Sequence, residues 1–134
     1  MSNDDATIRK LHCHLDEWRA LTVAELESIE GGDWKTLEEI QSKKALLRQD
    51  IEELESAFSS SPTMPQDRKE AERKRLRQIA TELLALEKKN EAVLSERIVE
   101  ADRELKHSNK TIQSLRHVQK AYGSGRPSFW QAYS

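Results

Sequence analysis

The chain has 134 residues, of which 34% are charged, 36% hydrophobic and 5% aromatic. A chain of this length and polarity has room for one domain or one elongated bundle, which excludes two independent cores and argues against a deep enclosed pocket. Ala, Glu, Lys, Leu, Arg and Gln dominate the composition and favour helix, and no run of β-branched residues predicts a strand. We therefore expect an all-α protein.

The charge is unevenly distributed, because residues 1–66 carry a net charge of -7 and residues 67–134 carry +5. This asymmetry favours docking of the late helical segment onto the early ones, and the slight overall acidity argues against nucleic-acid binding. The chain starts without the basic and apolar regions of a signal peptide, and no apolar run approaches the length of a membrane span. A lone Cys13 cannot form an internal disulfide. The expected location is cytoplasmic, without membrane insertion.

Two amphipathic helices are predicted first, over residues 5–30 and 33–58, because apolar residues recur at steps of mostly three and four. Gly31-Gly32 separates them, and Asp33 is suited to cap the second helix. Lys44 stands where the second apolar stripe expects a hydrophobic residue. Its stem is expected to pack while its ammonium reaches solvent, with a buried polar contact to a partner as the alternative.

The third predicted helix is the longest, since residues 66–122 contain neither Gly nor Pro. At about 1.5 Å per residue it would span about 85 Å, roughly twice the length of either upstream helix. We predict an elongated antiparallel bundle or coiled coil of three long helices over residues 1–125, with any kink near Asn90, where the apolar seam slips. Asn90 itself is interpreted as a register-setting polar residue rather than a ligand.

The length mismatch predicts an open apolar face on the second half of the third helix. Its members are the candidate client-binding residues Leu94, Ile98, Ala101, Leu105, Ile112, Leu115 and Tyr122. The competing arrangement, one continuous helix from Asp5 to Phe58 paired along the third helix, requires two glycines inside a helix, so we favour a hairpin. Residues 126–134 form an aromatic tail, containing Phe129-Trp130, that either folds back on a groove or anchors elsewhere.

The sequence offers little for catalysis or metal binding. His12 and His14 project about 200° apart around a helix, so they cannot hold one ion together. Cys13 lacks an Asn or Asp for a catalytic relay, and there is no Gly-rich phosphate loop. We therefore assign no catalytic, cofactor-binding or metal-binding residue and expect a protein that is not an enzyme.

Two stretches carry a family resemblance. Residues 21–34 (LTVAELESIEGGDW), followed by the leucine and lysine pattern through Leu54, resemble the leucine-spaced Gly-Asp turn of FlgN-type flagellar export chaperones. Residues 83–94 and the ending AYGSG at 121–125 look like the long helix of the same family and its closing Tyr-Gly-x-Gly. The similarity spans about residues 8–125. Asn90 departs from the pattern because it lacks the second Asn that often precedes it, and Phe129-Trp130 is not a family feature.

The resemblance implies a cytoplasmic, all-helical chaperone of the type III export system of the bacterial flagellum. Such proteins bind helical C-terminal segments of hook-filament junction (hook-associated) proteins and deliver them to the export gate. The open face described above would then receive the client helix, and a weak homodimer is compatible with this function. The alternative is a structural coiled-coil protein that self-assembles through the same face.

Overall fold

The computed structural model describes residues 3–104 and 109–124, which form four α-helices and no strand. The helices are α1 (Asn3–Gly31), α2 (Trp34–Ser60), α3 (Gln66–Glu104) and α4 (Asn109–Ser124). The all-α prediction is confirmed. The prediction of three helices is wrong, because the described part of the chain contains four.

A tight turn joins α1 and α2, as Gly31-Gly32-Asp33 predicts. Gly32 has φ +69°, in the left-handed region that glycine tolerates. The backbone N–H groups of Gly32 and Asp33 donate to the carbonyls of Ile29 (3.2 Å) and Ser28 (2.9 Å), the paired bonds of a Schellman ending. Asp33 then accepts a hydrogen bond from the backbone N–H of Thr36 at 3.2 Å and so caps α2.

Side-chain contacts define the direction of each helix. His14 on α1 lies 3.8 Å from Asp50 on α2, while Glu25 further along α1 contacts Lys44, so α1 and α2 run in opposite directions. The contacts of α1 with α3 advance in the same direction along both helices. The contact of His12 with Glu72 comes first, and the contacts of α1 at Asn90 and Arg97 follow. Helix α1 therefore packs against both α2 and α3, and α3 runs parallel to it.

The connection between α2 and α3 is tied to the start of α1. The hydroxyls of Ser61 and Thr63 both donate to the carboxylate of Asp4, each at 2.6 Å. These two hydrogen bonds lower the pKa of Asp4, because they stabilise its ionised form. The contact closes the three-helix end of the bundle.

Most of the buried apolar side chains of the described residues form two clusters. The three-helix core contains Leu11, Leu15, Trp18, Leu47, Ile51, Phe58, Met64, Leu76, Ala80 and Leu83. The four-helix core contains Ile29, Leu37, Leu94, Ile98, Leu115, Val118 and Tyr122. The first is built by α1, α2 and α3, whereas the second also requires α4.

The prediction of one helix from Gln66 to Tyr122 is wrong, because α4 packs back along α3. Arg116 forms an ion pair with Asp102 at 2.9 Å, and Gln119 Nε2 donates to Ser95 Oγ at 2.7 Å. In a continuous helix the residues of these pairs would lie about 21 Å and about 36 Å apart. Reversal of the chain buries two apolar faces against each other, which removes from water a stripe that a continuous rod would expose.

A distance measurement tests this reversal directly. Spin labels at Ser95→Cys and Gln119→Cys, with Cys13 replaced by Ser, should lie within about 20 Å of each other, since packed helix axes are about 10 Å apart. A label pair at Glu82 and Glu100, both on α3, calibrates the measurement at about 27 Å. A separation near 36 Å for the first pair would instead support a continuous rod.

Candidate functional site

The predicted client-binding face is largely covered by the chain itself. Leu94, Ile98 and Ala101 on α3 and Leu115 and Tyr122 on α4 are all buried, with at most 5% of each residue exposed. The α3 and α4 members face each other because α4 folds back, so they do not form one open stripe. This burial corrects the expectation of an exposed face.

The other two predicted members stand apart. Ile112, on α4, is half-buried. Leu105 lies outside the described residues, as does the aromatic tail at residues 126–134 whose docking the sequence left open.

A layer of polar side chains separates the two apolar clusters, and every helix contributes to it. It consists of Trp18 and Glu25 from α1, Lys44 from α2, Glu87 and Asn90 from α3, and Tyr122 from α4. We call this set the polar layer. Trp18 and Tyr122 also belong to the neighbouring apolar clusters, so the layer is continuous with both.

Lys44 forms the centre of the polar layer. Its Nζ donates to Glu25 Oε1 at 2.7 Å and lies 3.6 Å from Glu87 Oε1. The same ammonium lies 4.3 Å from the centroid of the Trp18 ring and 5.9 Å from that of Tyr122, within the range of cation–π attraction. Only 4% of Lys44 is exposed, so the prediction that its ammonium reaches solvent is wrong. Two carboxylates inside the bundle hold it there.

The α3 side of the polar layer is fully hydrogen-bonded to α1. Trp18 Nε1–H donates to Glu87 Oε1 at 2.6 Å. Asn90 Nδ2 donates to the backbone carbonyl of Thr22 at 2.8 Å. Asn90 is therefore a buried interhelical contact, which agrees with its interpretation as a register-setting residue.

On the α4 side of the polar layer, the hydrogen bonding is less complete. Glu25 is completely buried and accepts hydrogen bonds from Lys44 and Gln41. Burial nevertheless raises its pKa, against the opposing effect of Lys44. The hydroxyl of Tyr122 is buried without a hydrogen bond of ordinary geometry, although Glu25 and Asn90 lie close to it. Burial, with the negative charge of Glu25 next in importance, raises the pKa of this phenol.

A cleft of about 450 Å³ opens between α2 and α4 above the polar layer. Trp18, Lys44, Glu87 and Tyr122 of the polar layer line it, and so do Arg48 and His117. The packing of α4 is therefore closer on its α3 side than on its α2 side.

The described residues contain no group of three or more His, Cys, Asp or Glu side chains arranged to hold a metal ion. His12 and His14 contact different helices, through Glu72 on α3 and Asp50 on α2, and Cys13 is exposed. No helix in the described ranges has both the length and the apolar character that crossing a membrane requires. No protein-family model, curated protein or solved structure matches the chain.

Removing the central lysine should strongly destabilise the fold. Lys44→Met leaves two carboxylates buried without their ammonium partner, which typically costs about 3 to 5 kcal/mol. Lys43→Met is the matched control, because its side chain is exposed and a surface change of this kind usually alters stability by about 0.5 kcal/mol or less. Urea unfolding at neutral pH measures both.

A further variant separates charge from packing. The triple variant Glu25→Gln, Lys44→Met and Glu87→Gln should recover much of the free energy of unfolding that Lys44→Met loses, because it removes the uncompensated charges together. Equal destabilisation by Lys44→Met and Lys43→Met would contradict a structural role for the buried ammonium.

Proposed function

We propose that this protein is a non-enzymatic cytoplasmic export chaperone of the FlgN type. It binds helical C-terminal segments of hook-filament junction proteins and delivers them to the type III export gate. One observation carries the proposal: a groove on the longer helices, built around Leu94 and Ile98, already holds a short amphipathic helix, α4. Helix-in-groove packing of this kind is a recurring mode of peptide recognition.

The contact between α4 and the rest of the bundle is of a size that another helix can replace. Three of its side chains, Leu115, Val118 and Tyr122, are almost fully buried, at positions i, i+3 and i+7. Full burial of Leu115 or Val118 is worth about 1.5 to 3 kcal/mol before ordering costs. Its ion pair between Arg116 and Asp102 is largely exposed and adds little. A client helix with apolar residues at the same spacing offers the groove an equivalent surface.

The proposed client site is accordingly revised. Leu94, Ile98 and Ala101 on α3 contact the client after α4 has moved away, rather than forming a permanently open face. Leu115 and Tyr122 belong to the helix that is exchanged. In the unliganded protein α4 keeps the apolar groove out of water, which protects it from unspecific association.

The alternative of a self-assembling coiled-coil protein requires the same apolar face. Its described part is covered by α4, so nothing in the packing favours this function over client binding. Sedimentation of the purified protein distinguishes the two, since a chaperone should be a monomer or weak dimer, whereas a scaffold should form tight tetramers or filaments.

Undocking α4 should strengthen client capture. Val118→Asp places a charge in the four-helix core from the α4 side, so the groove is freed without change to α3. Because the apparent dissociation constant falls as the competent fraction rises, binding of a hook-filament junction segment should tighten several-fold. Gln113→Asp is the matched control, since it adds the same charge on the exposed side of α4. Isothermal titration with the C-terminal segment as ligand provides the measurement.

A second variant tests the groove itself. Ile98→Asp alters the face proposed to receive the client, and in combination with Val118→Asp it should abolish the gain. Loss of binding in Val118→Asp alone would show that α4 is needed for client capture and would rule out helix exchange. Absence of binding to any hook-filament junction segment would reject the proposed function.

A further inference from the structure

Helix α4 is joined to α3 by only four residues, 105–108, and neither Gly nor Pro occurs among them. Their sequence is LKHS, in which Leu and Lys are good helix formers and His and Ser are tolerated in helices. Local propensity therefore allows one helix to run from α3 through this connection into α4. The reversal of the chain depends instead on the surface against which α4 packs.

The contacts that hold α4 do not require it to come from the same chain. Arg116 pairs with Asp102, and Gln119 donates to Ser95, across the antiparallel packing of α4 on α3. The apolar side chains of α4 contact the residues that the longer helices contribute to the four-helix core. An α4 from a second copy, lying antiparallel to α3 in the same groove, would make each of these contacts with the same residues.

We propose that two copies of this chain exchange α4 and form a symmetric dimer. In this dimer α3, residues 105–108 and α4 of each copy form one helix, and α4 of each copy occupies the groove of the other. The exchange satisfies each groove once, so the assembly closes at two copies and does not grow into filaments. It concerns a second copy of the chain rather than a client, so it goes beyond the proposed function.

The geometry of the α3–α4 pair is compatible with a two-fold axis. Ser95 and Gln119 lie at similar distances in sequence on either side of the connection, and so do Asp102 and Arg116. Two continuous helices placed antiparallel, with the axis close to residues 105–108, bring the same pairs together between chains. Each contact of the hairpin then occurs twice in the dimer.

The apolar spacing also suits a continuous helix. Ile98 and Ile112 are 14 residues apart, and so are Ala101 and Leu115. Because 14 residues make two heptads, all four would share one face of a continuous helix, as in a coiled coil. In the described structure Ile112 is only half-buried, whereas the other three are buried. A partner helix that continues past the end of the hairpin would cover Ile112 further.

Concentration decides between the monomer and the dimer. A short connection holds α4 beside its own groove at an effective concentration of about millimolar order, and a second copy must compete with this. The dimer in turn gains the helical turn through residues 105–108 and the additional burial at Ile112. We therefore expect a monomer in dilute solution and a dimer after folding at about 1 mM.

Mixed labelling tests the exchange in the full chain. Two proteins with one spin label each, Ser95→Cys and Gln119→Cys, both with Cys13→Ser, are unfolded, mixed and refolded together at about 1 mM. Sedimentation should show a dimer, and in mixed dimers the labels on different chains should lie within about 20 Å of each other. Absence of a dimer, or a dimer without this short distance between chains, would overturn the proposal.

A proline at the start of α4 distinguishes the two arrangements. Asn109 is the first residue of α4, where proline is tolerated, but in the dimer it lies inside a continuous helix, which proline breaks. Asn109→Pro should therefore lower the association constant of the dimer at least about a hundredfold. Asn109→Ala is the matched control, because it removes the same side chain, favours helix and should retain the dimer.

The hairpin of Asn109→Pro is checked in dilute solution. With labels at Ser95→Cys and Gln119→Cys on one chain, the separation should remain within about 20 Å. Association of Asn109→Pro as strong as that of Asn109→Ala would refute the exchange. If the proline variant loses its hairpin, the mixed-label distance, measured with Asn109 in place, still decides. Client binding is measured on the dilute monomer, so failure of the dimer and failure of the proposed function are separate results.

Discussion

An ammonium shared between two buried carboxylates fixes how the helices of this protein meet. Helices that pack only through apolar faces can shift along each other by one layer of side chains, because one leucine layer resembles the next. A buried charge does not, since leaving it unpaired costs several kcal/mol. Lys44 on α2 must therefore face Glu25 on α1 and Glu87 on α3 at the same level of the bundle. The polar layer thus sets the register on which both apolar cores depend.

The two ends of the bundle differ in how firmly the polar layer holds them. On the α1–α3 side, Trp18 and Asn90 make short hydrogen bonds across the helices. On the α4 side, the contribution is the ring of Tyr122, whose hydroxyl has no hydrogen bond of ordinary geometry. A buried unsatisfied hydroxyl reduces the gain from burying the ring. Helix α4 is consequently attached at the least satisfied edge of the layer.

The sequence predicts the early part of this architecture well and the late part poorly. Gly31-Gly32-Asp33 specifies the α1–α2 turn because each position has a distinct backbone role. The reversal between α3 and α4 has no comparable signal, since residues 66–122 lack Gly and Pro. Ser108-Asn109 is the nearest hint, as these residue types favour helix starts. Burial of apolar surface decides the reversal, and this depends on tertiary packing rather than on local propensity.

The hydrophobic pattern alone does not predict the polar layer, because charged side chains occupy interior positions there. Eight positions of α1 are buried, and six of them, Leu11, Leu15, Trp18, Thr22, Glu25 and Ile29, follow an alternation of four- and three-residue steps; Asp4 and Ser28 are the other two. Leu21 and Leu26, which the hydrophobic pattern selects, are only half-buried. On α3 the same spacing passes through Glu87 rather than Leu86. A strict alternation of three- and four-residue steps predicts that Glu25 and Glu87 are interior. Lys44, which stands in the apolar stripe of α2, is then their expected partner.

The fold-back of α4 links stability to the availability of the groove. With α4 docked, Leu94 and Ile98 are hidden from water, and among the described residues α3 presents no long open apolar stripe. Under the proposed function, a client helix would have to offset the docking energy of α4, and its apparent affinity would be weaker the smaller the fraction of molecules in which α4 is released. The unsatisfied hydroxyl of Tyr122 lowers this penalty, whereas the polar layer holds α1, α2 and α3 together. Under the proposed function, a client helix of the same pattern would take the place of the short helix α4 on the frame formed by α1, α2 and α3.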